Sequence, residues 1–204
     1  MENNIIPLIV LCAGASSRMG SPKGLLTWQQ RPLLIHQIEN FLNLDFLHYQ
    51  TQVIVVLGNH KQVYLDCLHS NVSPDILQKI QIVTNPAPDR GQFSSISLAI
   101  STLAFKTEYC FLLPIDCPFP PTDIWYRLWQ ARSKDVMAII PSFKLRSGHP
   151  LLLTQSLMQK IIQSPPESRL DHLLQTMQAN QKKYVEALDA SIFGNINRPE
   201  DINT

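Results

Sequence analysis

Glycine is scarce in this chain: seven in 204 residues. Charge is scarce too, with 16% Asp, Glu, Lys and Arg against about 25% in an average globular protein. At 45% hydrophobic residues this is not the composition of a disordered chain, and sixteen glutamines supply uncharged polar surface instead. Seventeen Lys and Arg against sixteen Asp and Glu leave a formal net charge of +1. Without a bulk field, no nucleic-acid partner and no membrane partner are expected, and any bound anion must be held by a local cluster. Long apolar runs are missing: the longest, residues 5–13, contains Pro7 and is far short of the roughly twenty residues of a membrane-crossing helix. The first residues lack the layout of a signal peptide. Cys12, Cys67, Cys110 and Cys117 show no CxxC spacing, which argues against a zinc site or a disulfide framework. With no repeat, low-complexity tract or Gly/Ser linker, residues 1–204 read as one domain of a reducing, cytoplasmic compartment.

What is present is alternation. Residues 5–13, 53–58, 80–84, 109–115, 136–141 and 151–154 are short apolar runs ended by turn formers, the pattern of buried strands, with a weaker seventh at 184–188. Between them lie apolar stripes of helical period: Leu33, Leu34, Gln37, Ile38 and Phe41; then Ile96, Leu98, Ala99, Ile100 and Leu103; then Ile124, Leu128 and Ala131; then Leu157, Ile161 and Ile162; then Leu170, Leu173, Leu174 and Met177. Strands separated by helices predict an α/β fold with a mostly parallel sheet covered on both faces. In such sheets ligands bind beyond the carboxyl ends of the strands.

Three of the seven glycines, Gly14, Gly20 and Gly24, fall within eleven residues directly after the first strand. The segment Leu11-Cys12-Ala13-Gly14-Ala15-Ser16-Ser17-Arg18-Met19-Gly20-Ser21-Pro22-Lys23 exposes backbone N–H groups that can converge on phosphate oxygens. Arg18 adds a planar fork and Lys23 a point charge. The GxGxxG dinucleotide loop is excluded by Ala15 and Ser16. The GxxxxGK[ST] loop fails on spacing and on Gly24, which leaves no hydroxyl after Lys23. Further on, Asp116 ends the apolar run 109–115 among prolines, an expensive place for an unpaired charge. Either a hard cation relieves it, or the carboxylate caps a helix starting near Pro121.

The segment ending at Lys23 resembles the LxAGxSxRMGxxK signature of sugar- and cofactor-nucleotidyltransferases. Within that superfamily it is most similar to the MobA-like molybdenum-cofactor nucleotidyltransferases. The resemblance implies a Rossmann-like three-layer sandwich with a mostly parallel mixed sheet. It also implies a Mg2+-dependent transfer of a nucleoside monophosphate from a nucleoside triphosphate to a phosphorylated acceptor of molybdopterin type.

Residue by residue, it assigns Leu11, Cys12, Ala13, Gly14, Ala15, Ser16, Ser17, Arg18, Gly20 and Lys23 to the nucleotide, with Arg18, Lys23 and Asp116 catalytic. Asp116 and Pro118 match the family's metal-holding DxP motif. Asn195-Ile196-Asn197-Arg198-Pro199-Glu200-Asp201 resembles the [ND]x[ND]xPEDL ending, which makes Asn197 the second metal ligand and Asn195 a lesser candidate, although Asn197 also fits as a helix cap before Pro199. Asn85, Gly91, Ser94 and Ser95 lie in a stretch similar to the NPxxxxGxSSSL loop, a nucleotide contact, with ordinary helix capping by the serines as the other reading. Gly148, His149 and Pro150 match a GHP motif that lines the acceptor pocket.

Leu-Cys-Ala-Gly, Ser-Pro-Lys and Gly-His-Pro favour CTP; the Asn-rich ending and Asp-Cys-Pro-Phe lean to GTP. A sugar- or polyol-phosphate acceptor and a non-catalytic nucleotide-binding relative are the alternatives, and the family offers both monomers and homodimers. Gly24 after Lys23, and Gln30 where relatives often carry glycine, are departures from the pattern.

Overall fold

The computed structural model describes residues 4–15, 21–103, 106–196 and 201. Its strands are β1 (Asn4–Cys12), β2 (Thr27–Trp28), β3 (Arg31–Pro32), β4 (Tyr49–Leu57), β5 (Ile80–Thr84), β6 (Tyr109–Pro114), β7 (Ala138–Phe143), β8 (Arg146–Ser147), β9 (Leu151–Thr154) and β10 (Lys182–Glu186). Its helices are α1 (Leu33–Leu42), α2 (Lys61–Asn71), α3 (Pro74–Leu77), α4 (Gln92–Ser101), α5 (Thr122–Gln130), α6 (Gln155–Gln163) and α7 (Leu170–Gln175). The main sheet runs β10-β7-β9-β6-β1-β4-β5, with β8 paired to β7 as a hairpin. The pairs β10–β7, β6–β1, β1–β4 and β4–β5 are parallel, whereas β9 runs antiparallel to both its neighbours.

The apolar runs explain this order. β1 has neighbours on both sides and helices on both faces, so seven consecutive residues from Ile6 to Cys12 are buried. Alternate side chains then serve two cores. Leu8, Val10 and Cys12 point toward α1, α2 and α5, where Phe41, Phe46, Phe111 and Trp125 pack with ring centroids 5.0–6.2 Å apart. Ile9, Leu11 and Ala13 point toward α4 and α6, against Ile96, Ala99, Ile100, Leu157 and Ile161. The expected three-layer α/β sandwich with a mixed sheet is the fold found. Among the described residues, no helix is long and apolar enough to cross a membrane.

Several local boundaries differ from the sequence reading. β4 starts at Tyr49, earlier than residue 53, because its first half is polar and only partly buried. The last strand lies at 182–186 rather than 184–188, on the sheet edge, where no residue is fully buried and no apolar run marks it. Helix α2 was not anticipated: it buries only Tyr64 and Leu68 and has no continuous apolar stripe. The β2–β3 turn places Gln29 at φ 47° and Gln30 at φ 66°. This left-handed region favours glycine, so the Gln30 departure lies at a position with a backbone reason for glycine.

Candidate active site

The parallel strands β1, β4, β5 and β6 all end at one rim. Antiparallel β9 begins there, since Leu151 pairs with Leu112 near the end of β6. Ala13, Gly14 and Ala15 leave β1 at this rim, Gly58 leaves β4, Asn85 leaves β5, Asp116 follows β6, and Gly148-His149-Pro150 leads into β9. The site residues placed by sequence reasoning within the described residues therefore share one edge. Ser16, Ser17, Arg18, Gly20 and Asn197 lie outside the described residues.

The loop after β1 is held by the β4–α2 connection and by the first turn of α2. A Cβ on Gly58 would stand 2.5 Å from the Ala13 carbonyl oxygen and 3.0 Å from its Cα, so the two loops touch backbone to backbone. His60 Nε2 lies 2.8 Å from the Ala15 carbonyl oxygen; a carbonyl only accepts, so this nitrogen carries the hydrogen. Gly24 N–H donates to the Tyr64 hydroxyl at 3.2 Å, and a Cβ on Gly24 would lie 2.7 Å from the Tyr64 ring. Gly24 is thus required by close packing, and its contact with the buried Tyr64 fixes the neighbouring Lys23. Burial pushes the Tyr64 phenol well up, so it stays neutral.

Lys23 Nζ reaches Asp116 Oδ2 at 3.0 Å, with the two side chains 17% and 29% exposed. Asp116 does not cap α5, which has no side-chain cap. It sits third in a four-residue turn, Pro114 to Cys117, closed by Cys117 N–H donating to Pro114 O at 3.1 Å. Ile115 N–H donates to Leu11 O at 3.4 Å, and Ile196 N–H donates to Asp116 O at 2.7 Å. The last bond brings the Asn195 stretch onto the strand tip that carries the carboxylate. Among the described residues, no three His, Cys, Asp or Glu side chains cluster to hold a metal. A carboxylate at an open rim suits Mg2+, which takes one or two protein oxygens and fills its shell with phosphate and water. All four cysteines are free. Burial, with the Asp116 charge second, pushes the Cys12 and Cys117 thiols up, so neither supplies a thiolate.

After β5, Asn85 organises its own loop. Its amide donates to Ser94 Oγ at 3.0 Å and Ser95 Oγ at 2.9 Å, while its Oδ1 accepts from Ala87 N–H. Ser94 Oγ donates to Gly91 O, and Ser95 is buried. These hydroxyls therefore brace the approach to α4, which has no side-chain cap of its own.

Beside this loop a cavity of about 800 Å3 opens between the start of α4, the approach to β9, α7 and β10, lined among others by Arg90, Phe93, His149, Arg169, Asp171 and Tyr184. Its volume suits a ligand the size of a cofactor. Gly148 N–H donates to Pro141 O and His149 N–H to Ile192 O, both at 2.9 Å, fixing the imidazole at the cavity wall. At the mouth, Arg169 forms a two-pronged pair with Asp171 at 3.0 and 2.7 Å. Arg90 lies within the stretch similar to the NPxxxxGxSSSL loop and Arg169 within residues 167–171, which match an acceptor-side loop only loosely, so neither was singled out as a site residue; Tyr184 carried no sequence signal.

Burial lowers the His149 pKa from 6.5 to about 4, against an opposing pull from Asp116. The ring is thus neutral at neutral pH. A folded-state pKa below the unfolded value means that the unfolded chain takes up the proton first as pH falls. The stability from a neutral His149 is complete above about 6.5 and is lost down to about 4, amounting to at most about 3 kcal/mol because part of the ring faces the cavity. Melting curves should therefore show a smaller loss of stability from pH 7 to pH 4.5 in His149→Gln than in the unaltered chain. Equal losses would show that the ring does not titrate in this way.

Residues 8–183 match the family described as the MobA-like NTP transferase domain. The chain is 31% identical over 199 residues to the molybdenum cofactor cytidylyltransferase of Escherichia coli (strain K12), covering 98% of this chain and 94% of that protein. It is 28% identical over 209 residues to the molybdenum cofactor guanylyltransferase of Yersinia pestis (strain Pestoides F), with the same two coverages of 98% and 94%. Among solved structures, a nucleotidyl transferase from Methanothermobacter thermautotroptrophicus superposes with a TM-score of 0.76 at 18% identity, covering 98% of this chain and 94% of that one. That last likeness is one of fold.

Proposed function

The chain belongs to the MobA-like NTP transferase family and is a nucleotidyltransferase, and from this we propose that it is a Mg2+-dependent cytidylyltransferase that moves CMP from CTP onto the terminal phosphate of a molybdopterin-type acceptor. The observation that carries the reading is the meeting at one rim of the β1 loop, the Lys23–Asp116 pair and the Asn195 stretch, beside a cavity large enough for the acceptor. The cytidylyltransferase relative and the Leu-Cys-Ala-Gly, Ser-Pro-Lys and Gly-His-Pro segments support CTP. Four free cysteines support a reducing, cytoplasmic setting.

In this reaction an oxygen of the acceptor phosphate attacks the α-phosphorus of CTP. The bond to the bridging oxygen breaks, and pyrophosphate leaves with that electron pair. The attacking phosphate is ionised at neutral pH, so no general base is needed, in keeping with a neutral, partly buried His149. Catalysis then rests on positioning and on charge stabilisation. Backbone N–H groups of Ala13, Gly14 and Ala15 receive the triphosphate, Lys23 and Arg18 add positive charge, and Gly148, His149 and Pro150 orient the acceptor. Asp116, with Asn197 and Asn195, would hold Mg2+, which when bound supplies charge neutralisation across the reacting phosphates.

The test is pyrophosphate release with each of the four triphosphates, with and without molybdopterin, in Mg2+ and in EDTA. CTP with molybdopterin and Mg2+ is expected to turn over alone. A preference for GTP would move the assignment to the guanylyl branch, represented by the relative at 28% identity. Undiminished turnover in EDTA would remove the metal, and no turnover with any triphosphate would leave a nucleotide-binding relative.

A further inference from the structure

Gln37 has no solvent exposure. It stands on α1 among Leu33, Leu34, Ile38 and Phe41, all of them also fully buried, where the helical stripe calls for an apolar side chain. Its amide does not serve the helix. Nε2 donates to Pro114 O at 3.2 Å and also to Cys117 O, the carbonyls of the first and last residues of the turn that carries Asp116. Its Oε1 is buried without a hydrogen-bond partner among the described residues. A buried amide left half-satisfied is a poor way to fill a core, and an apolar residue of equal length would pack there without that defect. What such a residue would lack is the grip on the turn. The turn already has its own bond from Cys117 N–H to Pro114 O. The Gln37 amide adds a second bridge across the same four residues, anchored to a rigid helix rather than to a loop. Further backbone bonds, from Ile115 to Leu11 and from Ile196 to Asp116, tie the turn to β1 and to the Asn195 stretch.

We propose that Gln37 is a positioning residue: by clamping both ends of the Pro114–Cys117 turn it fixes the direction in which Asp116 presents its carboxylate to a divalent ion. Gln37 touches neither substrate nor ion and acts through Asp116. The inference rests on the reading of Asp116 as the metal ligand.

The test compares the unaltered chain with Gln37→Met, which keeps the length and removes the amide, and Gln37→Asn, which keeps the amide but is too short to span both carbonyls. Mn2+ binding in the presence of CTP is followed by electron paramagnetic resonance, and the Mg2+ concentration for half-maximal turnover and the melting temperature are measured alongside. Both variants are expected to weaken Mn2+ binding and to raise the Mg2+ requirement about tenfold, the range typical for groups that orient a metal ligand. The KM for CTP at saturating Mg2+ should change less than about twofold, since the nucleotide loop is not part of the clamp. Unchanged Mn2+ binding in either folded variant overturns the proposal, even if the melting temperature drops, and so does failure of both to fold, which would make Gln37 a folding residue only. Absence of any Mn2+ response in the unaltered chain would instead overturn the metal reading of Asp116.

Discussion

Asp116→Ala is expected to lower pyrophosphate release by about a thousandfold, because a group that organises charge at a reacting phosphate contributes several kcal/mol to the transition state. The fold should survive. Among the described residues, the bonds that hold the Pro114–Cys117 turn end on its backbone atoms, apart from a long contact of Cys117 Sγ with Asp116 Oδ1: Cys117 to Pro114, Ile115 to Leu11, Ile196 to Asp116, and the Gln37 amide to both end carbonyls. Among the described residues the carboxylate itself pairs with Lys23 and meets Cys117 Sγ at 3.9 Å, at a site partly open to water. Such pairs contribute about 1 kcal/mol or less. Circular dichroism and melting temperature should therefore match the unaltered chain while turnover collapses. Asp116→Asn, which keeps an oxygen but loses the charge, should fall between the two. Turnover of the alanine variant within tenfold of the unaltered chain would remove Asp116 from the mechanism.

Gly58→Ala should be nearly as damaging, for a steric reason. The added methyl would lie 2.5 Å from Ala13 O and 3.0 Å from Ala13 Cα, and neither atom can swing aside as a side-chain tip would. One residue earlier, Leu57 is paired with Cys12 in the β1–β4 ladder, so the strands hold and the displacement falls on Ala13, Gly14 and Ala15. Moving a binding loop by about 1 Å costs on the order of a hundredfold in rate, and forced overpacking destabilises by about 1–3 kcal/mol. Steady-state kinetics with CTP should show kcat/KM reduced by about two decades, and denaturant titration should show a lower midpoint. Unaltered kinetics would mean that the β1 loop does not set the nucleotide's position.

The sheet was readable in the residue order because its central strands are buried on both faces; such strands leave continuous apolar runs. Asp116 was readable for the same reason, as a charge where an apolar run stops. Helix α2 was not readable, since Tyr64 and Leu68 are its only buried side chains. Yet Tyr64 positions Gly24 and thereby Lys23, and His60 holds Ala15. Gln37 was visible only as a member of an apolar stripe, because its hydrogen bonds reach carbonyls 77 and 80 residues away in the chain. The cavity wall was legible in part, through Gly148 and His149, but its junction with Arg90, Arg169 and Tyr184 forms only once the sheet is assembled. The direction of β9 was beyond reach, as a strand of three leucines and a threonine carries no mark of its orientation.

That reversed strand governs how the chain can vary in length. Because β9 enters the sheet where its neighbours leave it, Pro150 passes directly from the rim into the ladder, with Leu151 already opposite Leu112. A parallel strand of the same four residues would have begun about 13 Å away, at the opposite rim. An insertion of one residue between Pro150 and Leu151 would turn every side chain of the strand to the wrong face or push His149 out of its place. The junction is therefore closed to insertions and deletions. The neighbouring hairpin tip, where Leu145 is fully exposed between β7 and β8, is the point on this wall where the chain can grow.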